Sequence, residues 1–173
     1  VENLDEWLES LNIEVKVELP DKSNLPRIIQ LFNKTNQMNM HTRRMTRNEL
    51  EEWLEEGDRR LYAFRVSDRY GDSGLTGILT LERKDNTVHI TDFILSCRVM
   101  GRKIEETMVA VAVGSARETG AEWIEAEYEP TEKNQPCLDF WKRSGFETGQ
   151  AENRFRWNLE KEYAVPEYIK IIE

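Results

Sequence analysis

The sequence feature that most constrains the fold is a strand-like run that breaks at a glycine and continues as a helix-like run. The first run, Thr87 to Leu95, is rich in β-branched residues and contains neither Gly nor Pro. The break falls at Gly101, and the second run extends from Ile104 to Arg117. A strand that turns into a helix leaves backbone N–H groups unpaired at the helix start, where they and the helix dipole bind anions. The segment therefore predicts an anion site at a strand-to-helix junction.

Three cations stand at this junction, namely Arg98, Arg102 and Lys103. Positive charge at a helix start is unfavourable to the helix dipole, and the chain as a whole carries a net charge of −9. We interpret the local positive charge as a site for a phosphate-bearing ligand. The alternative interpretation is a helix start whose cations are simply solvated.

Capping signals and apolar spacing predict the order β-α-α-β-β-β-α-β-α-β-β after a short N-terminal helix. Antiparallel neighbours around one strand-helix-strand crossover predict an α/β (α+β) domain with a mixed, mostly antiparallel sheet flanked by helices. The predicted elements include helices that begin after Asn3, after Ser23 or Asn24, and at a Thr46–Glu49 capping box, strands 61–66, 76–82, 87–95 and 123–128, a turn-rich loop 68–74, a helix 134–144, and closing strands 146–148 and 154–159.

Composition narrows the class of protein. The chain has 173 residues, with 33% charged and 39% hydrophobic, which is typical of one folded globular domain. The acidic balance argues against a nucleic-acid partner, and no apolar run is long enough to predict a membrane span. Cys97 and Cys137 are the only cysteines and no secretory signal is visible, so we expect reduced thiols and a cytoplasmic location. A short amphipathic helix opens the chain, so we interpret residues 1–11 as a linker or lead-in helix and 12–173 as the domain.

Two motifs carry a resemblance to a known fold family. The junction loop, Arg98 to Lys103, resembles the Arg/Gln-x-x-Gly-x-Gly/Ala loop of GCN5-related N-acetyltransferases (GNAT), with Lys103 in place of the last small residue. Asn134 and the later Phe-Trp and Gly-Phe pairs resemble the second GNAT signature, although many members have a catalytic Tyr where Trp141 stands. The resemblance implies a GNAT-like domain whose junction loop wraps the pyrophosphate of coenzyme A (CoA), and whose splayed central strands hold the thioester. The cofactor-binding residues that it implies are Arg98, Val99, Met100, Gly101, Arg102, Lys103, Asn134 and Phe140.

A narrower resemblance rests on four segments, 34–44, 68–72, 96–102 and 131–134. They are similar to the C-terminal region of FkbH-like proteins, which belong to the haloacid-dehalogenase (HAD) superfamily, subfamily IIIC. That family is associated with polyketide-type pathways, where it moves a glyceryl unit from bisphosphoglycerate to an acyl carrier protein. The resemblance implies an acyl carrier protein as partner, a small-molecule acyl donor, and the phosphopantetheine of CoA or of the carrier as cofactor. The phosphatase-type Asp-x-Asp motif of the family's N-terminal domain is missing from this sequence.

Three residues are candidates for catalysis. Cys97 lies beside Arg98 and near a helix N-terminus, which favours the thiolate, so it could hold an acyl group as a thioester. Asp92 is a carboxylate on a strand that otherwise has a buried pattern, and Glu127 lies near the end of the next strand; either could act as a general base. The alternatives are a small buried residue for Cys97, and a structural ion pair or an exposed strand face for Asp92.

The polar segment 33–44 corresponds to the loop that covers the acceptor side in GNAT folds. Amides and paired arginines orient a carboxylate or a phosphate through bidentate hydrogen bonds. The predicted substrate-binding residues are Asn36, Asn39, Thr42, Arg43 and Arg44. The alternative is a plain polar surface loop. For the nearby stretch Asp68 to Asp72 we predict Asx-type turns rather than a metal site.

Three functions remain open at this stage. The first is an acyl-transfer domain that binds a phosphopantetheine thioester and transfers a small acyl group such as glyceryl. The second is a non-catalytic module that recruits a carrier protein or a substrate, which the departures at Lys103 and Trp141 favour. The third is an ordinary N-acetyltransferase that uses Asp92 or Glu127 as its base.

Overall fold

A computed structural model describes residues 3–148 and 151–172. Five α-helices and one short 3₁₀ helix lie in these residues. The α-helices are α1 (Leu4–Leu11), α2 (Leu25–Lys34), α3 (Arg47–Leu54), α4 (Ile104–Glu118) and α5 (Gln135–Arg143), and the 3₁₀ helix is Cys97–Val99. The strands are β1 (Ile13–Glu18), β2 (Met38–Asn39), β3 (Arg59–Asp68), β4 (Gly71–Lys84), β5 (Thr87–Leu95), β6 (Trp123–Glu127), β7 (Glu147–Thr148), β8 (Arg154–Asn158) and β9 (Ile169–Ile172).

One mixed sheet contains all nine of these strands. Its order is β7-β8-β6-β5-β4-β3-β1-β9, and β2 pairs separately with β5. Only the pairs β1–β9 and β5–β6 are parallel within the described part of the chain. Since α4 connects β5 to β6, this is the strand-helix-strand crossover that the junction predicts. The fold class is therefore as predicted, a mostly antiparallel sheet flanked by helices.

The two faces of the sheet pack against different helices. The larger apolar cluster joins the sheet to α1, α4 and α5 and includes Ile90 and Phe93 of β5. The smaller cluster joins it to α2 and α3 and includes Ile94. A bulge at Thr91, where the β4–β5 register shifts, keeps Ile90 and Phe93 on one face and turns Asp92 toward the other.

The capping signals in the sequence predicted the starts of two helices correctly, and the structure contains the corresponding hydrogen bonds. Asn3 caps α1 by accepting from the Glu6 N–H, and Thr46 with Glu49 forms the complete capping box of α3. The predicted Asx-type turns are also present, since Asp68 accepts from the Tyr70 N–H and Asp72 from the Gly74 N–H.

One prediction about the strands is wrong, and two short strands were missed. The predicted loop 68–74 is instead a tight hairpin, because β3 extends to Asp68 and β4 begins at Gly71. The strands β2 and β9 were not predicted, since each is short and exists only through pairing with a partner distant in sequence.

Helix α1, interpreted as a lead-in, inserts Leu8 and Leu11 into the larger cluster. The division between residues 1–11 and 12–173 stays a prediction, as does the cytoplasmic location. No helix of the described residues is long and apolar enough to cross a membrane.

Two glycines, one in a crowded position and one in an open position, give a test of this packing. A Cβ at Gly77 of β4 would lie 3.1 Å from the Met108 sulfur and 3.3 Å from Phe64 Cβ, whereas a Cβ at Gly114 of α4 would touch nothing within 4 Å. We expect Gly77→Ala to lower the free energy of unfolding by about 1 kcal/mol through overpacking. We expect Gly114→Ala to raise it by about 0.5–1 kcal/mol through helix propensity. Urea unfolding of both variants measures this, and equal signs would contradict the packing.

Candidate functional site

The gap between β5 and β6 is filled by the chain itself. The two strands pair from Thr87–Trp123 to Ile90–Ala126 and then separate. Strand β2 pairs with Ile94 and Leu95 on the edge of β5 that faces away from β4, which is the edge facing the gap. The Met40 N–H donates to the Phe93 carbonyl (3.2 Å), and the Met40 carbonyl accepts from the Glu129 N–H (3.0 Å). The segment Met38–Met40, which is at most 1% exposed, therefore bridges the two separating strands.

Asn134 locks this bridging segment in place. Its Nδ2 donates to the carbonyls of Asn39 (3.0 Å) and Glu129 (2.9 Å). Its Oδ1 accepts from the Thr131 N–H (2.7 Å) and from the Tyr128 hydroxyl (2.6 Å). A primary amide has two donors and room for two acceptor bonds, so the hydrogen-bonding capacity of Asn134 is fully used by the chain. The prediction that Asn134 binds a cofactor stays a prediction, and these contacts give it no support.

Carboxylates of the chain already surround the junction loop. The Gly101 N–H donates to Glu105 Oε2 (3.1 Å). Arg102 Nη1 donates to Asp68 Oδ2 (3.0 Å), and Lys103 Nζ donates to Glu106 Oε2 (3.1 Å). Lys103 itself adopts a left-handed backbone with φ of 67°, a conformation that favours the small residue of the GNAT motif. Two of the three junction cations are thus neutralised within the chain.

Glu105 is the internal anion of this loop. It lies in the first turn of α4 and is only 2% exposed. Burial, the largest effect, raises the pKa of this carboxyl above its ordinary value despite the bond from Gly101. Its second oxygen, Oε1, has no hydrogen-bond partner in the described part of the chain. The helix start thus favours the charged form of this carboxyl, whereas burial disfavours it.

Asp92 belongs to a buried ion pair. It has no exposed surface, and Arg43 donates to both of its oxygens, from Nη2 at 2.5 Å and from Nε at 3.3 Å. The Thr80 hydroxyl also donates to Asp92, at 2.7 Å. The Arg43 guanidinium lies 5.0 Å from the ring centre of Trp53. This is the structural arrangement that the sequence left open as the alternative to a general base.

The other polar residues of the segment 33–44 mostly bind the chain as well. Arg44 donates to the Phe32 carbonyl at the end of α2 (2.6 Å) and to Asn36 (2.5 Å). Asn39 is fully buried, and its side chain bonds the Thr35 carbonyl and the Thr42 N–H. Thr42 has a φ of 52°, and its buried hydroxyl lacks a partner among the described residues. The segment is an internally bonded structure, and its substrate-binding role stays a prediction.

Cys97 differs from these residues because its side chain is exposed. It begins the 3₁₀ helix that follows β5, and Arg98, the next residue, is also exposed. Val99 is buried, whereas Met100 is partly buried. Cys137 is fully buried in α5, and burial raises the pKa of its thiol to about 12. Only Cys97 is therefore an accessible thiol.

The aromatic residues of the second GNAT signature lie in the core. Phe140 and Trp141 have no exposed surface, and Phe140 stacks on Phe93 with ring centres 5.6 Å apart. Trp141 packs against the same Phe93 and against Phe146.

Glu127, on the exposed end of β6, pairs with Arg154 at 3.4 Å. The structure thus joins Asp92 to Arg43 and Asn134 to Asn39, but bonds neither Asp92 nor Glu127 to Cys97.

A cavity of about 500 Å³ lies beyond the junction loop, between α1, the start of α4 and the C-terminal segment 162–169. Its walls are mostly apolar and include Trp157 and Tyr163. Arg102 and Lys103 contribute to its rim, but none of the predicted catalytic residues lines it.

Comparison with known structures places the fold. Spermidine N-acetyltransferase from Vibrio cholerae, solved with CoA and spermine, superposes with a TM-score of 0.61 at 14% identity, over 85% of this chain and 96% of that one. A domain from Methanocaldococcus jannaschii gives 0.62 at 12% identity, over 84% and 99%. The ribosomal-protein-S18-alanine N-acetyltransferase from Escherichia coli gives 0.59 at 6% identity, over 84% and 94%. The chain has the GNAT fold. By sequence, no family model and no curated protein matches the chain.

CoA, which this fold implies, does not fit the groove of this chain as the residues stand. An extended thioester arm between the separating strands would need the edge of β5 that Met38–Met40 occupies. A pyrophosphate in the loop would need the Gly101 N–H that Glu105 accepts from. Both positions are filled by buried groups of the chain itself.

Sequence reasoning missed several of the residues that build this site. Glu105 is hidden in the apolar pattern of α4. The bridging role of Met38–Met40 had one signal, the presence of two methionines in an otherwise polar segment. That composition marks burial but does not name the partner strand.

The Asn134 bonds predict a large effect on stability. Asn134→Ala would leave the Asn39 carbonyl buried without a partner and would remove the shorter of the two hydrogen bonds of the Tyr128 hydroxyl. We expect the free energy of unfolding to fall by at least about 2 kcal/mol, as measured in urea. Asn48→Ala, at an exposed position of α3, is the control and should change it little. A loss at Asn134 as small as that of the control would contradict the bridge.

Glu105 predicts a pH dependence. Because the pKa of Glu105 is raised in the folded state, its contribution to stability is present at low pH and lost as the pH rises through the folded pKa. Gln accepts the same bond from Gly101 and does not titrate. We expect Glu105→Gln to be more stable than the wild type at about pH 7, with the difference shrinking toward about pH 4. Urea unfolding at both pH values measures it, with exposed Glu52→Gln as control; a Glu105→Gln variant less stable at pH 7 would contradict this.

Proposed function

We propose that this chain is an acyl-transfer domain in which the Cys97 thiol receives a small acyl group from a phosphopantetheine thioester presented at the surface. The observation that carries the proposal is the exposure of Cys97 at the end of β5, next to the exposed Arg98. The fold supports acyl transfer as the general class, since N-acetyltransferases share it. The filled groove supports a surface thiol over a bound CoA as the acyl carrier.

The proposed step is an exchange of one thioester for another. The Cys97 thiolate attacks the carbonyl carbon of the donor thioester. The new C–S bond to Cys97 forms, and the C–S bond to the pantetheine sulfur breaks. The departing thiolate takes up the proton that the Cys97 thiol released to solvent, so no oxidant, reductant or metal is consumed. A second exchange in the reverse sense passes the acyl group to the acceptor.

The FkbH-like resemblance narrows the partners of this step. It supports glyceryl as the acyl group and an acyl carrier protein of a polyketide-type pathway as the thioester partner. Carrier proteins are usually acidic, so contact through the exposed Arg98 is favourable. The rest of the junction adds little net charge, because Arg102 and Lys103 are paired with carboxylates.

The second candidate function is recruitment without covalent chemistry. The observation that favours it is the closed groove, in which Met38–Met40 and Asn134 satisfy one another. In that case the domain binds a carrier protein or substrate for another domain, and Cys97 is a surface residue. The third candidate, an N-acetyltransferase with a carboxylate base, has less support because Asp92 is bonded to Arg43 and Thr80 and Glu127 is paired with Arg154.

Acyl loading of Cys97 separates these functions. We expect incubation with a glyceryl-loaded carrier protein to add one glyceryl mass to the domain, and hydroxylamine to remove it, as measured by intact-protein mass spectrometry. Cys97→Ala should abolish the adduct completely. Cys137→Ala is the matched control and should keep it, because that thiol is buried.

Binding of the carrier protein completes the test. Calorimetric titration with holo and apo carrier, and separately with CoA, measures affinity without chemistry. Carrier binding that survives Cys97→Ala, with no adduct on the wild type, supports recruitment and contradicts acyl transfer. Tight CoA binding would contradict the closed groove.

A further inference from the structure

The cavity between α1, the start of α4 and the C-terminal segment has an aromatic wall that the chain holds in place. The rings of Trp157 and Tyr163 meet edge to face, with centres 5.2 Å apart. The Trp157 Nε1–H donates to the Lys161 carbonyl (3.0 Å), and the Tyr163 hydroxyl donates to the Ser144 carbonyl (2.5 Å). Because their polar groups are bonded within the chain, these two residues offer the cavity ring surface, which Tyr168 extends.

The charged residues that line this cavity are mostly acidic. Four carboxylates and two cations contribute to it. Both cations are neutralised within the chain, since Arg102 pairs with Asp68 (3.0 Å) and Lys103 with Glu106 (3.1 Å). The other three carboxylates are exposed, and among the described residues none of them has a basic group closer than 4.0 Å: Asp5, Glu162 and Glu167. The cavity therefore keeps a negative charge of its own.

The effect of this charge is felt at the aromatic wall. The charge of Glu167, followed by burial and then by the charges of Glu9 and Asp5, raises the pKa of the Tyr168 hydroxyl. A position that disfavours a phenolate favours a cation for the same reason. The faces of aromatic rings also attract organic ammonium groups. A phosphate or a carboxylate of a ligand would instead be repelled by the three unpaired carboxylates.

We propose that this cavity binds a small organic cation in which an ammonium group is attached to an apolar body. Its volume of about 500 Å³ lies in the range of small-molecule sites, which combine apolar walls with a few polar groups. The apolar walls would contact the body, and the rings and the unpaired carboxylates would attract the ammonium group. Cys97 does not line the cavity, so this binding is independent of the proposed acyl transfer.

Three probes that share a phenyl ring test the proposal: phenethylamine, which is a cation at about pH 7, phenethyl alcohol, which is neutral, and hydrocinnamate, which is an anion. Titration of isotopically labelled protein, followed by amide and indole N–H NMR signals, gives both the affinity and the location. We expect the amine to bind at least about threefold more tightly than the alcohol, and hydrocinnamate to bind most weakly. The largest shifts should fall on the Trp157 indole and on residues 162–169.

The other outcomes of this titration contradict the proposal. Equal affinities for the three probes would mean that the cavity accepts apolar molecules without selecting charge. Methylammonium has the charge but no apolar body, so binding as tight as that of phenethylamine would place the ion on the acidic surface and not in the cavity. Failure of phenethylamine to bind, or shifts confined to other parts of the chain, would refute the site.

Variants of the unpaired carboxylates test the charge selection. We expect Asp5→Asn combined with Glu167→Gln to weaken phenethylamine binding about threefold or more and to leave phenethyl alcohol binding unchanged. Both positions are exposed, so the variant should remain folded. Glu52→Gln, at an exposed position of α3 on the other face of the sheet, is the matched control and should bind both probes as the wild type does. Equal affinity for phenethylamine in the double variant and the wild type would refute the role of these carboxylates.

Variants of Tyr168 test the aromatic wall. We expect Tyr168→Leu to weaken phenethylamine binding about threefold, because the ring face is lost, and Tyr168→Phe to keep it. Equal binding by the Leu and Phe variants would contradict a contribution of the ring.

Cys97→Ala separates this site from the proposed function. It should bind phenethylamine as the wild type does while it loses the acyl adduct. Amine binding without any acyl adduct on the wild type would leave the cation site standing and refute only the acyl transfer. Loss of amine binding in Cys97→Ala would contradict the location of the site.

Discussion

The constraint on which the rest of this structure depends is the need to satisfy the edge of β5 after it leaves β6. Parallel pairing stops at Ile90 and Ala126, yet β5 continues to Leu95 with both faces of the sheet covered. Buried N–H and C=O groups need partners. Met38–Met40 provides them, and the side chain of Asn134 then pairs the bridging backbone on its other side. One internal strand thus completes the sheet.

Because the bridging segment fills the gap between β5 and β6, the side chains that can still react or bind lie at the surface. Inside the sheet, Asp92, Asn39 and Asn134 have all their strong interactions within the chain. The residues left with unused hydrogen-bonding or chemical capacity are outside it, at the end of β5, where Cys97 and Arg98 are exposed. A GNAT fold can keep its architecture while its reactive groups change position, because a fold specifies a scaffold and not a reaction.

How far the sequence could predict this molecule depends on the range of each interaction. The caps of α1 and α3 and the bounds of β5 follow from residues within a few positions, and all were predicted correctly. The junction was located correctly too, but the neutralisation of Arg102 depends on Asp68, 34 residues away. Strand β2 has two residues, and no local pattern of that length names its partner. The junction segment therefore predicts an anion site, but the pairing of Arg102 with Asp68 is a tertiary contact that no local pattern shows.

The cations at the junction differ in whether a carboxylate of the chain neutralises them. Arg102 and Lys103 lie at the start of α4, where cations oppose the helix dipole, and both have a carboxylate within about one hydrogen-bond length. Arg98 lies before the helix and is exposed. In a chain of net charge −9, the exposed Arg98 beside the accessible Cys97 thiol gives an anionic ligand a local attraction. Because this attraction comes from one side chain, it acts on whichever anionic group of the donor or carrier lies next to Cys97.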